Sequence, residues 1–309
     1  MRTARTAAVL SIAAMALTAC AGDGTATDEA AGDADVDDTG LTVISSIDVY
    51  ADLIEQIAGG SVDSQAIVES TAVDPHSYEA TPQDRLAVEN ADLVVANGGG
   101  YDSFITLLAS SADMEDDLYQ VIPGENEHSH EWDGTFENEH IWYDLLQMEE
   151  FVRDFADRLS DVAPENAEAY QENADALAAD IRELHERNEA LEAEGRSYLA
   201  TEAVSGYLLD DAGFENRTEE EFLSAVEHGD DVSPRLYQDS LELTEEIDLL
   251  SYNPQTETQQ SQRIRSQAEE NGVIIREFTE TLPDDAANFQ EWMSANIDTV
   301  EEALAEMDG

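Results

Sequence analysis

Lysine is absent from the 309-residue chain: all 13 basic residues are arginine, set against 72 acidic ones, for a formal net charge of −59. Without lysine there is no amine for a Schiff base, no P-loop lysine and no kinase lysine, so several large enzyme classes drop out. A polyanion of this strength repels phosphate backbones, which excludes electrostatic binding to nucleic acid. Cysteine occurs once, at Cys20, so no intramolecular disulfide can form and no thiolate is available for a soft-metal site. Also missing are a His-Glu-x-x-His helix, a glycine elbow and a Ser/His/Asp order, the usual marks of secreted hydrolases. Beyond the N-terminal segment no apolar run reaches the ~20 residues that span a bilayer.

What remains is enough for a folded body. Hydrophobic residues make up 42% of the chain and aromatics 7%, which supports a core, and the length suits one large or two medium domains. Carboxylates without lysine suit a surface kept soluble in high salt, where screening shortens the Debye length to a few Å; a lineage-wide composition bias would leave the same mark. Either way the field of the surface draws cations.

Residues 1–20 predict an export segment. Arg2 and Arg5 give a positive start, Ala7 to Ala16 is a short apolar run, and Leu17-Thr18-Ala19-Cys20 resembles the bacterial lipobox, whose cysteine is acylated and becomes the mature first residue. The expected location is therefore extracytoplasmic, with the cell membrane reached only through a lipid anchor on Cys20. Residues 21–40 carry seven acidic side chains and no basic one among Ala, Gly, Thr and a single Val, a composition that predicts a disordered tether.

From Leu41 the chain alternates. Leu41 to Ser46, Gln65 to Ser70 and Leu93 to Ala96 read as strands, and Asp48 to Gly60, Thr81 to Asn90 and Ser103 to Ser111 as helices, which predicts an α/β lobe with a parallel sheet over residues 41–163. Tyr170, Leu177, Ile181, Leu184 and Leu191 then share one helical face and predict a linking helix over residues 164–194. A second series follows, with strands at Ser197 to Thr201, Leu249 to Tyr252 and Val273 to Ile275 and helices at 204–212, 234–246, 257–271 and 288–307. It makes a second α/β lobe over residues 195–309. Two βα lobes joined by one helix leave a cleft between them, lined by the loops beyond the carboxyl ends of the strands.

Two of the six histidines stand in suggestive frames: His76 in Asp74-Pro75-His76-Ser77-Tyr78-Glu79, just after a strand, and His140 in Asn138-Glu139-His140-Ile141-Trp142-Tyr143-Asp144. With Asn97-Gly98-Gly99-Gly100-Tyr101-Asp102 between them, the lipobox, and Pro164-Glu165-Asn166 followed by Tyr170 and Asn173, these segments resemble the metal-binding lipoproteins of manganese and zinc ABC importers. The resemblance to this cluster A-I solute-binding family spans Leu41 to Gly309. It implies a rigid linking helix, one divalent ion, Mn2+ or Zn2+, in the cleft, and a monomer that hands its metal to an ABC permease. Carried over residue by residue, His76 and His140 would be the ligands of the N-terminal lobe. Glu202, in Thr201-Glu202-Ala203, would be the third, at a place where zinc-type members tend to have His and manganese-type members Glu. The fourth falls in Glu277-Phe278-Thr279-Glu280-Thr281, as Glu280 with Glu277 the rival.

The donor chemistry agrees. Two neutral imidazoles and two carboxylates cancel the charge of a dication, and mixed N and O donors suit Mn2+, Fe2+ or Zn2+. Two carboxylates lean toward manganese, although Zn2+ keeps the greater raw affinity at most such sites. His128 and His130 fall in an acidic loop where zinc-type relatives often carry a longer histidine-rich one; His185 and His228 read as surface residues. Glu139 and Leu145 depart from the family pattern, in which prolines are common around the second histidine. Two other classes remain: a secreted zinc-dependent hydrolase, since two His and one Glu with an open position is also a catalytic set, and a surface adhesin.

Overall fold

The computed structural model describes residues 37–122 and 138–309. The export segment with Cys20, residues 21–36 of the expected tether, His128 and His130 lie outside the described residues, whereas residues 37–40, expected as disordered tether, are bonded to the body: Asp37 exchanges hydrogen bonds with Asn166, and Thr39 donates to the Ser61 carbonyl.

The first lobe runs β1 (Leu41–Ile47), α1 (Asp48–Ala58), β2 (Val62–Val68), α2 (Pro82–Glu89), β3 (Leu93–Gly98), α3 (Ser103–Ser111), β4 (Leu118–Ile122) and α4 (Leu145–Val162). All pairings in its sheet are parallel, in the order β2-β1-β3-β4. β3 is buried along its whole length, as its unbroken apolar run requires of a strand covered on both faces. α1 stops where Gly59 takes a left-handed conformation and donates its N–H to the Glu55 carbonyl. α2 starts with a capping box, in which Thr81 and Asp84 satisfy each other's backbone N–H groups ahead of Pro82.

The second lobe runs β5 (Ser197–Ala200), α6 (Gly206–Asp211), β6 (Glu215–Asn216), α7 (Glu220–Glu227), α8 (Pro234–Leu243), β7 (Leu249–Tyr252), α9 (Gln259–Asn271), β8 (Ile274–Glu277) and α10 (Phe289–Met307), numbering the linker as α5. Its sheet is also parallel, in the order β6-β5-β7-β8, so the two halves share one strand order.

The linker differs from the helix expected over 164–194. Pro164–Asn166 forms a 3-10 turn and the α-helix, α5, covers Ala167–Glu189, about 35 Å at ~1.5 Å per residue. Leu191 continues the apolar spacing and packs on the core, but Glu192 and Gly195 adopt positive φ, turning the chain into β5. The Ala193 N–H then bonds to the Ala212 carbonyl. β4, β6 and α7 are elements outside the expected series: β4 is half-buried at the sheet edge, β6 is two exposed residues long, and α7 is a helix of only eight residues.

The lobes touch directly. On α1, Asp48 accepts the Leu282 N–H at 3.1 Å and Asp52 accepts the N–H of Phe289, the first residue of α10, at 2.8 Å. One turn on, the side chains of Gln56 and Gln290 exchange hydrogen bonds. The first of these contacts lies at the carboxyl end of β1, two residues from Glu280, and the others follow along α1, so the lobes are joined from the strand ends outward.

Candidate functional site

His76, Tyr101, Glu202 and Glu280 follow strand ends, His140 leads into the turn before α4, and each is fixed by a nearby bond. His76 lies in the loop after β2, where Asp74 accepts its backbone N–H at 2.9 Å. His140 is fully buried; Asn138 accepts from its backbone N–H at 3.1 Å and sits 2.9 Å from ring Nδ1, which assigns the proton to Nδ1 and turns the Nε2 lone pair into the cleft. Tyr101 follows the loop after β3. Gly98 is needed there, because a Cβ would fall 2.1 Å from the Ile122 carbonyl oxygen, and buried Asp102 accepts the N–H groups of Asn97 and Gly98. Tyr101 packs edge-on to both imidazoles, with Trp142 behind His140.

Glu202 and Glu280 come from the opposite lobe, two residues beyond β5 and three beyond β8. One side-chain amide, that of Asn253 directly after β7, donates to both carboxylates: to Glu202 and, at 2.7 Å, to Glu280 Oε1. Thr256 also donates to Glu202, and Tyr101 donates across the cleft to Glu280 Oε2 at 3.0 Å. Glu277 is elsewhere: it is exposed and paired with Arg265 at 2.6 Å. The structure thus brings Glu280, and not its rival, to the imidazoles.

His76 Nε2 is the focus. It stands 3.4 Å from His140 Nε2, 3.7 Å from Glu202 Oε1 and 3.5 Å from Glu280 Oε2, with His140 Nε2 3.9 Å from that same oxygen. Four donors at ~2.1 Å around a tetrahedral ion lie about 3.4 Å apart, so these spacings match a first-row dication. A fifth group, Glu227 at the end of α7, joins them with Oε2 at 3.4 Å from His76 Nε2. His76, His140, Glu202 and Glu227 each offer a ligand atom within 4.8 Å of the others.

Burial sets the charge state. It pushes His76 down to about 4 and His140 well below the ordinary imidazole range, so both rings are neutral donors. It also pushes Glu202 up to about 7, against the bonds from Thr256 and Asn253, and raises Glu280 well above the usual carboxylate range, with the charge of Glu202 adding to the effect. Glu227 is raised likewise, first by burial and then by its neighbouring carboxylates. The cluster therefore holds protons that a dication displaces.

Glu227 is not among the ligands that the sequence motifs single out. Its signal is weak but physical: Phe222, Leu223 and Val226 form the apolar face of α7, and Glu227, four residues after Leu223, stands on that face. His228 is exposed, as expected. His185 is not a surface residue. Although Arg182, Glu183, Glu186 and Arg187 surround it in sequence, it lies on the inward face of α5 and is buried beside Glu189 and Asp211. Two cavities, of about 910 and 700 Å3, meet at His76 and Glu227.

The sequence pattern of the family described as the periplasmic component A of the zinc-uptake complex, ZnuA, matches residues 43–303. The manganese-binding lipoprotein MntA of Halalkalibacterium halodurans is 28% identical over 213 residues, 67% of each chain. The periplasmic zinc-binding protein TroA of Treponema pallidum superposes with a TM-score of 0.70 at 21% identity, covering 86% of this chain and 99% of that one. FpvC of Pseudomonas aeruginosa, solved in complex with Mn2+, gives 0.70 at 20% identity, covering 87% of this chain and 100% of that one. Likenesses at this level establish the two-lobed fold.

Proposed function

Starting from the family to which the chain belongs, that of the zinc-uptake component ZnuA, we propose that it is an extracytoplasmic solute-binding lipoprotein that captures one divalent transition metal and delivers it to an ABC importer. The observation that carries this reading is the meeting of His76 and His140 from one lobe with Glu202 and Glu280 from the other, at spacings of 3.4 to 3.9 Å. In this reading the four are the metal ligands, Cys20 carries the lipid, and residues 21–36 are the tether between membrane and body.

Capture follows from the chemistry of the donors. The imidazoles offer lone pairs at neutral pH, and the ion replaces the carboxyl protons, so a cluster that is costly to ionise when empty becomes charge-balanced when filled. Asn253, Thr256, Tyr101 and Asn138 hold the ligating atoms in place, which limits the reorganisation on binding. Donors from both lobes make the bound ion a bridge across the cleft, and parting the lobes at a permease would break half of the shell at once. Carriage is favoured over hydrolysis because the protein itself fills the shell, whereas a catalytic zinc keeps a position open for water.

Native mass spectrometry with elemental analysis of protein purified without added metal tests this. One Mn or Zn ion per chain is expected, lost in His76→Ala and His140→Ala and kept in His128→Ala and His185→Ala. Equal, small effects at all four histidines would overturn the assignment.

A further inference from the structure

Glu227 stands out from the other acidic groups of the cleft. Both oxygens of Glu280 and one of Glu202 accept hydrogen bonds from neighbouring side chains. Glu227 Oε1 accepts the Ala203 N–H at 3.3 Å, which aims the carboxylate, but Oε2 has no hydrogen-bond partner although the side chain is only 3% exposed. A buried, partnerless carboxylate oxygen is expensive and calls for an explanation. This one points at His76 Nε2 from 3.4 Å, at the focus of the other four donors. A cation placed among these donors would satisfy that oxygen.

We propose that Glu227 is a fifth ligand to the cargo ion and biases the site toward Mn2+ over Zn2+. The inference rests on the metal-carrier reading above and deepens it. Two imidazoles and three carboxylates make an N2O3 set, oxygen-rich and larger than the four donors with which Zn2+ closes a tetrahedral shell. Mn2+ favours carboxylate oxygen and a six-coordinate geometry, so the added donor serves it more than it serves zinc. The position of α7 supports this role. Its buried Phe222 and Leu223 anchor the helix over the cleft, and Glu227, at its carboxyl end, lines both cavities that reach the site.

The test uses the full chain with Mn2+ alone and with Zn2+ alone, comparing wild type, Glu227→Gln, Glu227→Ala, His76→Ala and His140→Ala. Both Glu227 variants are expected to weaken Mn2+ binding by tenfold or more and Zn2+ binding by less than threefold. Retained Zn2+ binding certifies that the variants fold. Pulsed EPR of Mn2+ in the wild type should count at most one exchangeable water, a readout that needs no variant. An unchanged Mn2+ to Zn2+ affinity ratio in the Glu227 variants, or two or more waters on Mn2+ in the wild type, would overturn the proposal. If the His76 and His140 variants also bind both metals normally, the carrier site itself is misplaced. If they lose both metals while the Glu227 variants keep the ratio, the carrier site stands and the fifth ligand falls.

Discussion

The two lobes share a strand order but not a task. The first has strands of five to seven residues, the second strands of two to four. The first presents neutral imidazoles, one of them wholly buried between Tyr101 and Trp142; the second presents carboxylates held by a shared amide. An uncharged nitrogen donor can be buried in a rigid aromatic wall at little cost. A carboxylate cannot, and needs donors around it or a cation in front of it. On the proposed ligand set the difference divides the labour of recognition: the histidine side would decide whether a metal binds, and the carboxylate side which one and at what pH.

The largest effect expected from breaking this division is on the histidine side. His140→Ala should weaken every first-row dication by more than about 100-fold, the upper end of what a lost outer-shell partner costs, since a ligand from a fixed wall cannot be replaced by a neighbour. Titration with Mn2+ and Zn2+ in parallel checks it. A loss confined to one metal would contradict the division.

On the carboxylate side, Asn253→Ala should cost about 10- to 100-fold in affinity although Asn253 touches no metal, because its amide restrains Glu202 and Glu280 together. Asn253→Asp should cost more, by adding a fourth buried carboxyl. Calorimetric titration of the two variants beside wild type is the measurement, and equal affinities would mean that the shared amide does not position the ligands.

The pH dependence sharpens the same contrast. The ion requires ionised carboxylates and neutral imidazoles. With His76 held down to about 4 and His140 well below its ordinary range, the rings stay neutral between pH 6 and 8 and do not compete. Glu202, raised to about 7, must lose a proton to bind, so affinity falls as pH drops through 7. That residue alone gives about a tenfold loss from pH 8 to 6, and Glu280, also raised, adds to it. Calorimetry in buffers of different ionisation enthalpy should show proton release on binding. Affinity that rises toward pH 6 would reverse the assignment of charge states.

The same division explains what the sequence could and could not disclose. His76 and His140 are legible because their frames are local: an Asx turn at Asp74 and an Asn138 two residues before the ring it orients. The strands β1, β3 and β7 announce themselves by apolar runs, and α10 by its period and its Asn288 cap. Glu280 is distinguishable from Glu277 only by tertiary structure, since in sequence both are carboxylates at a strand end. Glu227 sits on a short helix in a chain with 72 acidic residues, so no composition signal isolates it. The linker was legible as a helix but not in its ends, because the apolar face continues through Leu191 past the point where positive φ at Glu192 turns the chain.

The smallest effect concerns the hinge side, where the lobes meet without metal. Asp52 on α1 accepts the N–H of Phe289, so a carboxylate of the first lobe sits at the N-terminus of α10, where an anion meets both an unsatisfied donor and the positive end of the helix dipole. Asp52→Ala removes that bond and should destabilise the apo protein by about 1.5–3 kcal/mol, the range for a hydrogen bond to a charged group. Asp52→Asn keeps an acceptor and should lose less. Neither change touches the ligands, so metal affinity should move only a few-fold, through looser lobe positions. Small-angle scattering of apo and metal-loaded protein should nearly superpose in the wild type, because one packed helix and the α1 contacts resist wide opening. A large contraction on metal binding in the wild type would mean that α5 and the Asp52 contact do not set the lobe geometry. The cleft would then be shaped by its cargo alone.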